Sequence, residues 1–467
     1  MSLAFLADGP VAGVALAVEK DGEVILAKGY GLAEIEHNVP VTVETVFRLG
    51  SISKQFAAVA ILQLVEQGKI GLHDPITRFL PDYPTQGNEV TIHHLLTHTS
   101  GIASYTDMGA AFWDKSRLDL THEEMVELFG GQAFDFAPGE QWKYNNSGYY
   151  LLGMIVEVAA APPVISMDHD SERTERLGPQ PDLGTTVGPF TGAPVLAASR
   201  EAQAVDPVPF AEYLETHIFG PLGMTGSSYC DETEIVPHRA EGYEREGGQL
   251  VNDQPLSMNL PGAAGALCST VLDLLRWQRA LDSNALISAA SRERMLTEAT
   301  LNDGSSTGYA YGLSLGELSG HRTVSHGGGI NGFNTMLATY PDDGLVVTVL
   351  TNTNGAGPGA LEAQIARLAL GLPLEVTMDL PTDGLDLGAL AGTYRFEQAG
   401  ISADMEVRED QLWMVADGLG EVRLKYQGEL VFELLPGQRI RFVPDGDPPS
   451  AFLMGGGAEI EGVKEGR

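Results

Sequence analysis

The stretch that decides the fold is Phe47-Arg48-Leu49-Gly50-Ser51-Ile52-Ser53-Lys54. Beyond it, Phe56, Val59, Ala60, Leu62 and Leu64 recur at helical spacing, and Gly68 stands where a helix would stop. This predicts a helix over 51–68. Ser51 then opens the helix, and Lys54 lies on the same face one turn later. A serine hydroxyl is a weak nucleophile until a neighbouring base takes its proton. A lysine becomes such a base when burial, or the positive end of a helix dipole, lowers its pKa. The N–H groups of the first turn also favour an oxyanion formed there. The competing role for Ser51 is that of a helix cap. Ser53 is the rival serine, but its partner three residues on is Phe56. Only eight lysines occur in the chain, which makes the Ser51–Lys54 spacing less readily a coincidence.

Working outward, residues 11–34 read as a hairpin: Val11–Glu19 is apolar, Lys20-Asp21-Gly22 turns, and Glu23–Lys28 resumes strand character. Helices are predicted over Ile92–Thr97, Tyr149–Ala160 and Val271–Leu281. Two apolar strands, Asn334–Tyr340 and Leu345–Thr351, flank the turn Pro341-Asp342-Asp343-Gly344. Strands at both ends of a helical middle imply an α+β domain whose sheet is closed by distant segments. Residues 161–207 are rich in Pro, Gly, Ala and Ser without periodicity, and read as an insertion or disordered loop. A linker is expected at 373–384, separating a domain at 1–372 from one at 385–467. In the latter, short segments from Gly392–Phe396 to Arg439–Val443 alternate with Gly- and Asp-rich turns, the pattern of a small antiparallel barrel or sandwich.

The 467 residues carry 63 acidic and 28 basic side chains, a net charge of −35. Such a surface repels nucleic acid and anionic membranes. No apolar run approaches the roughly 20 residues of a membrane span. The N-terminus lacks a basic leader region and Asp8 breaks its apolar stretch, so the chain as written reads as cytoplasmic; a removed signal would make it periplasmic or secreted. The two cysteines, Cys230 and Cys268, allow one disulfide that the sequence alone does not establish; two buried free thiols are the favoured reading. His73, His93, His94 and His98 are not accompanied by the carboxylates of a zinc pattern, so no metal is expected.

Two further motifs follow. In Tyr144-Asn145-Asn146 a phenol near a lysine can be held partly as phenolate and shuttle protons, and an amide can fix the lysine and a substrate carbonyl. The plain role of this segment is a polar turn capping the next helix through Asn146 or Ser147. In Ser325-His326-Gly327-Gly328-Gly329 a glycine-rich edge strand lets a substrate backbone approach, and a free N–H there can complete an oxyanion hole.

In this order the three motifs resemble the S-x-x-K, Y-x-N and H-x-G set of the serine β-lactamase and penicillin-binding-protein superfamily, in the branch of class C β-lactamases, D-aminopeptidases and esterases. The runs Leu95-Leu96-Thr97-His98-Thr99-Ser100-Gly101 and Phe219-Gly220-Pro221-Leu222-Gly223-Met224 also resemble it. The resemblance implies a β-lactamase/transpeptidase-like domain, with a lipocalin-like barrel behind it. It implies Ser51 as acylated nucleophile, Lys54 as its base and Tyr144 as the proton carrier to the leaving group and the deacylating water. Asn146, His326 and Gly328 would bind substrate, and the N–H groups of Ser51 and Gly329 would form the oxyanion hole. No cofactor or metal is required.

One departure bears on substrate. The third motif begins with His326, where β-lactamases and DD-carboxypeptidases carry a lysine that helps to bind the substrate carboxylate. A neutral imidazole does this less well at pH 7. Peptide substrates with a D-residue, or esters, are therefore expected ahead of β-lactams. The alternatives are a true β-lactamase or DD-carboxypeptidase, and a catalytically silent binding or scaffold protein.

Overall fold

The computed structural model describes residues 11–162, 207–246, 248–374, 379–396, 401–416, 420–435, 438–446, 449–455 and 458–465. Most of the expected insertion at 161–207, and four residues of the expected linker, lie outside the described residues.

The hairpin of strands β1 (Gly13–Lys20) and β2 (Glu23–Glu34) forms as expected, and the short β3 (Val39–Pro40) pairs with β2. Near the far end of the domain come β4 (Ser314–Leu318), β5 (His321–Ile330), β6 (Phe333–Tyr340) and β7 (Leu345–Thr351). They join β1 in one antiparallel sheet of order β3-β2-β1-β7-β6-β5-β4. The closure runs through β1 and β7, from Val14 opposite Thr351 to Lys20 opposite Leu345. Both strands are apolar along nearly their whole length and buried on both faces, so the centre of the sheet is where they gain most from pairing. The β6–β7 turn is Pro341–Asp343, closed by Gly344 in a left-handed conformation.

Helix α1 (Ser53–Glu66) follows a 3₁₀ turn at Gly50–Ile52, so the regular helix starts two residues later than its sequence suggests. Eleven of its fourteen residues are buried, the mark of a helix packed on all sides. Its Phe56 stacks on Trp277 of α4 (Val271–Asp282), with ring centroids 3.9 Å apart. Helix α2 (Ile92–Leu96) opens with a capping box between Thr91 and His94. Helix α3 (Asn146–Ala160) is capped by Asn145, whose side chain accepts from the Gly148 N–H at 2.6 Å. The cap is thus one residue before the two expected, and this frees Asn146 for the site. On the other face of the sheet, Leu361, Ile365 and Ala366 of α5 (Pro358–Ala369) pack against Val14, Leu16 and Val347.

A small three-stranded sheet braces the start of α1. Leu267–Ser269 is its central strand, between Phe47–Arg48 and Ser228–Tyr229. This pairing brings Cys230 to Cys268, and the two form a disulfide across Cα atoms 5.3 Å apart. The free-thiol expectation is therefore overturned. The strands that meet are 38 residues apart in sequence, a long-range pairing that spacing alone does not reveal.

The C-terminal segment is a closed eight-stranded antiparallel barrel running from Gly392–Phe396 to Ala458–Lys464. Tyr394 opposite Lys464 seals it. Alternating burial along Gln411–Ala416 shows one face turned inward, onto a core including Tyr394, Phe396, Phe432 and Phe442. The strands Ser450–Gly455 and Ala458–Lys464 were not anticipated from the sequence.

Candidate active site

The 3₁₀ turn at Gly50–Ile52 and the first turn of α1 place Ser51 and Lys54 side by side. Neither element uses a side-chain cap, so Ser51 is not spent on capping. The Lys54 Nζ lies 3.0 Å from Ser51 Oγ. It also donates to Asn146 Oδ1 at 2.8 Å and to the Ala264 carbonyl at 2.9 Å. Burial holds the amine well below its ordinary pKa. Both carbonyl oxygens can only accept. The amine donates to Ser51 Oγ while it holds its proton; once deprotonated it can keep its two hydrogens on the carbonyls and turn its lone pair to Ser51, whose hydroxyl then donates. This is the arrangement a general base needs. Ser53, the rival, is buried and accepts from the Leu267 N–H at 3.1 Å, so it serves the fold.

Tyr144 lies over the same amine, its ring centroid 4.7 Å from Lys54 Nζ, with Tyr149 at 5.5 Å. Its hydroxyl is buried without a hydrogen-bond partner among the described residues. Burial pushes its pKa up, and the Ser51 hydroxyl beside it offsets only part of this. This argues against the partial phenolate suggested by the sequence: burial favours the protonated phenol. What it offers is an O–H beside Ser51 that makes no hydrogen bond of good geometry among the described residues. Asn146 turns its Oδ1 to Lys54 and donates from Nδ2 to Thr106 Oγ1 at 3.2 Å.

The third motif lies on β5. Its outer neighbour β4 pairs only as far as Ser325 opposite Ser314, so residues 326–330 have one unpaired edge among the described residues. Gly328 fits because a Cβ there would sit 1.9 Å from the Leu49 carbonyl and 2.2 Å from Thr335 Oγ1. Gly50, in a left-handed conformation, also lies against the backbone of Gly329: a Cβ on it would be 2.9 Å from the Gly329 nitrogen. The two glycines let β5 lie directly against the turn that carries Ser51. His326 is buried, its ring 6.1 Å from that of Tyr144. Its Nε2 accepts from Tyr309 Oη at 2.9 Å, and its Nδ1 donates to the Gly327 carbonyl. Burial, then the neighbouring Lys54, push it down to about 3, so it stays neutral with both nitrogens engaged.

Two residues passed over in the sequence complete the pocket. Tyr309 is buried and fixes His326. His98, set aside with the other histidines as structural or exposed, is buried with its ring 4.4 Å from that of Tyr144. Its place within Leu-Leu-Thr-His-Thr-Ser-Gly was the available signal. Among the described residues no cluster of His, Cys, Asp and Glu is grouped to hold a metal. No described helix is long and apolar enough to cross a membrane.

The helix-borne serine–lysine pair against a glycine-rich sheet edge defines an active-site-serine hydrolase. The chain belongs to the Beta-lactamase family, whose model matches residues 4–166 and 195–371. It is 27% identical over 454 residues to penicillin-binding protein 4* of Bacillus subtilis, covering 92% of this chain and 87% of that protein. It is 28% identical over 404 residues to a D-aminopeptidase of Gluconobacter oxydans, covering 85% of this chain and 65% of that protein. Among solved structures it resembles the octameric penicillin-binding protein homologue of Pyrococcus abyssi, with a TM-score of 0.65 and 25% identity over 99% of this chain and 98% of the other.

Proposed function

We propose that this protein hydrolyses small peptides or amides bearing a D-residue, and simple esters, through an acyl-enzyme on Ser51. The observation that carries this is the set of partners on Lys54 Nζ: two carbonyl oxygens and the Ser51 hydroxyl.

Lys54 takes the hydroxyl proton as Ser51 Oγ attacks the substrate carbonyl carbon. The oxyanion rests on the N–H groups of Ser51 and Gly329. Tyr144 gives its proton to the leaving nitrogen or oxygen as the carbonyl re-forms, and recovers one from the Lys54 ammonium. The same groups then run in reverse. A water gives its proton through Tyr144 to Lys54, attacks the acyl carbonyl, and Ser51 leaves with the proton returned. Asn146 keeps Lys54 in place throughout.

The substrate reading is supported by the neutral pocket and the open strand edge. His326 has both nitrogens occupied and no charge, so it supplies no counter-ion for a carboxylate at the third motif. Residues 326–330 leave an edge along which an extended peptide can lie. The likeness to a D-aminopeptidase points the same way. The second reading, a β-lactamase or DD-carboxypeptidase, draws on the likeness to penicillin-binding protein 4*.

The test is mass spectrometry after a fluorophosphonate probe, beside turnover of D-alanine p-nitroanilide, p-nitrophenyl acetate and nitrocefin. An adduct on Ser51, its loss in Ser51→Ala, and amide turnover above nitrocefin turnover are expected. No adduct, or full activity in Ser51→Ala, sinks the enzyme reading and favours a silent binding protein. Fast nitrocefin hydrolysis sinks the substrate reading alone.

A further inference from the structure

Tyr144 sits on residues 141–145, a segment without helix or strand, and its hydroxyl has no partner among the described residues to hold it. Its position is fixed from outside. The carbonyl of His98 accepts from the Lys143 N–H at 3.0 Å, and His98 Nδ1 accepts from the Asn145 N–H at 3.1 Å. One residue thus holds the peptide N–H on each side of Tyr144. Its ring also packs on the Tyr144 ring at 4.4 Å and on those of Tyr309 and Tyr149 at 4.7 and 5.1 Å. His98 adopts φ +60°, a conformation that aims its carbonyl and its ring at the same segment.

We propose that His98 is the positioning residue of Tyr144, gripping the backbone on both sides of it and its ring, so that the phenol O–H is aimed at the leaving group. This rests on the role given to Tyr144 above. Because Nδ1 must accept, the imidazole has to be the neutral tautomer with its proton on Nε2. Burial first, and then the Lys54 amine nearby, push its pKa well below the ordinary value, which favours the neutral ring. A misplacement of about 1 Å in such a group costs on the order of 100-fold in rate.

The experiment is a double-mutant cycle in kcat and KM on D-alanine p-nitroanilide, with thermal melts to establish folding. His98→Phe keeps a ring and loses the acceptor. His98→Asn keeps an acceptor the same number of bonds from Cα, and asparagine tolerates the left-handed backbone. Expected are a kcat loss of about 10- to 100-fold in His98→Phe with KM within about threefold, and recovery to within about fivefold of wild type in His98→Asn. Added to Tyr144→Phe, His98→Phe costs less than about threefold more, because the two act as one unit. Wild-type kcat in a folded His98→Phe, no rescue by Asn, or an undiminished loss in the Tyr144→Phe background overturns the proposal. Should the Phe variant not fold, His98→Ala is read in the same cycle with the same outcomes. Wild-type kcat in Tyr144→Phe overturns the role of Tyr144 itself. A slow Tyr144→Phe beside a fast His98→Phe overturns only the part given to His98.

Discussion

Lys54 Nζ lies 3.0 Å from Ser51 Oγ, held there by two carbonyl oxygens and, among the described residues, by no carboxylate. An acidic partner would have kept the amine charged. Replacing Lys54 with arginine, which cannot lose its proton, is expected to lower kcat/KM for p-nitrophenyl acetate by about 10²- to 10⁴-fold. A stopped-flow burst measurement locates the loss in acylation. An unchanged burst would mean that another group takes the Ser51 proton.

The contact between β5 and the Ser51 turn gives a second test. In Gly328→Ala the new methyl meets the Leu49 carbonyl, which Thr335 Oγ1 already occupies at 2.7 Å. Neither neighbour is free to move without disturbing the turn. A stability loss of about 1–3 kcal/mol is expected from the forced shift. A fall in kcat of about 100-fold should accompany it as the Gly329 N–H moves off the oxyanion. Urea titration and steady-state kinetics read the two effects separately, and near-wild-type values in both would contradict the close approach.

The neutral histidines predict an acid-sensitive fold. His326 is pushed down to about 3 from an ordinary 6.5, and His98 is lowered by burial as well. Below pH 6.5 the unfolded chain takes up a proton at His326 that the folded chain refuses until about pH 3. Stability is therefore unaffected above pH 6.5 and is lost as the pH falls through that window, by about 2 kcal/mol at pH 5 from His326 alone. Urea midpoints of wild type and His326→Gln, measured at pH 7 and pH 5, check this. The variant should show the smaller drop.

The disulfide ties together chain 38 residues apart. Constraint of the unfolded chain over such a loop is worth roughly 4 kcal/mol in the loop-entropy account. Cys268→Ala is expected to lose about 2–4 kcal/mol, partly through the cavity left between paired strands. Thermal unfolding of this variant, and of wild type with and without reductant, measures it. Equal melting temperatures would remove the bond from the stability of the fold.

What the sequence made legible was local. The repeat Phe56, Val59, Ala60, Leu62 predicts α1 because a helix buried on most sides needs an apolar run. The Pro341–Gly344 turn predicts its hairpin because proline and a left-handed glycine determine the backbone there. Ser51, Lys54, Tyr144 and Asn146 were legible as motifs, and the structure brings all four together around one amine. What stayed hidden depends on long-range contact. Nothing local says that Val14 faces Thr351, that Tyr309 occupies His326 or that Cys230 meets Cys268. The protonation of Tyr144 was not legible for the same reason: proximity to a lysine is visible in a motif, whereas the burial that raises the phenol's pKa and lowers the amine's is a property of the assembled core. The last two barrel strands escaped notice because Gly455, Gly456 and Gly457 interrupt the alternation that marks the earlier ones.

The Cys230–Cys268 bond closes a covalent ring of chain, and Ala264 lies inside it. The carbonyl of Ala264 is one of the two anchors on Lys54. Two sulfur atoms with no part in bond making or breaking are thus fastened to the geometry of the base. Specific activity is therefore expected to record oxidation history: kcat measured before and after reduction should fall as the ring opens, and equal values would uncouple the bond from the base.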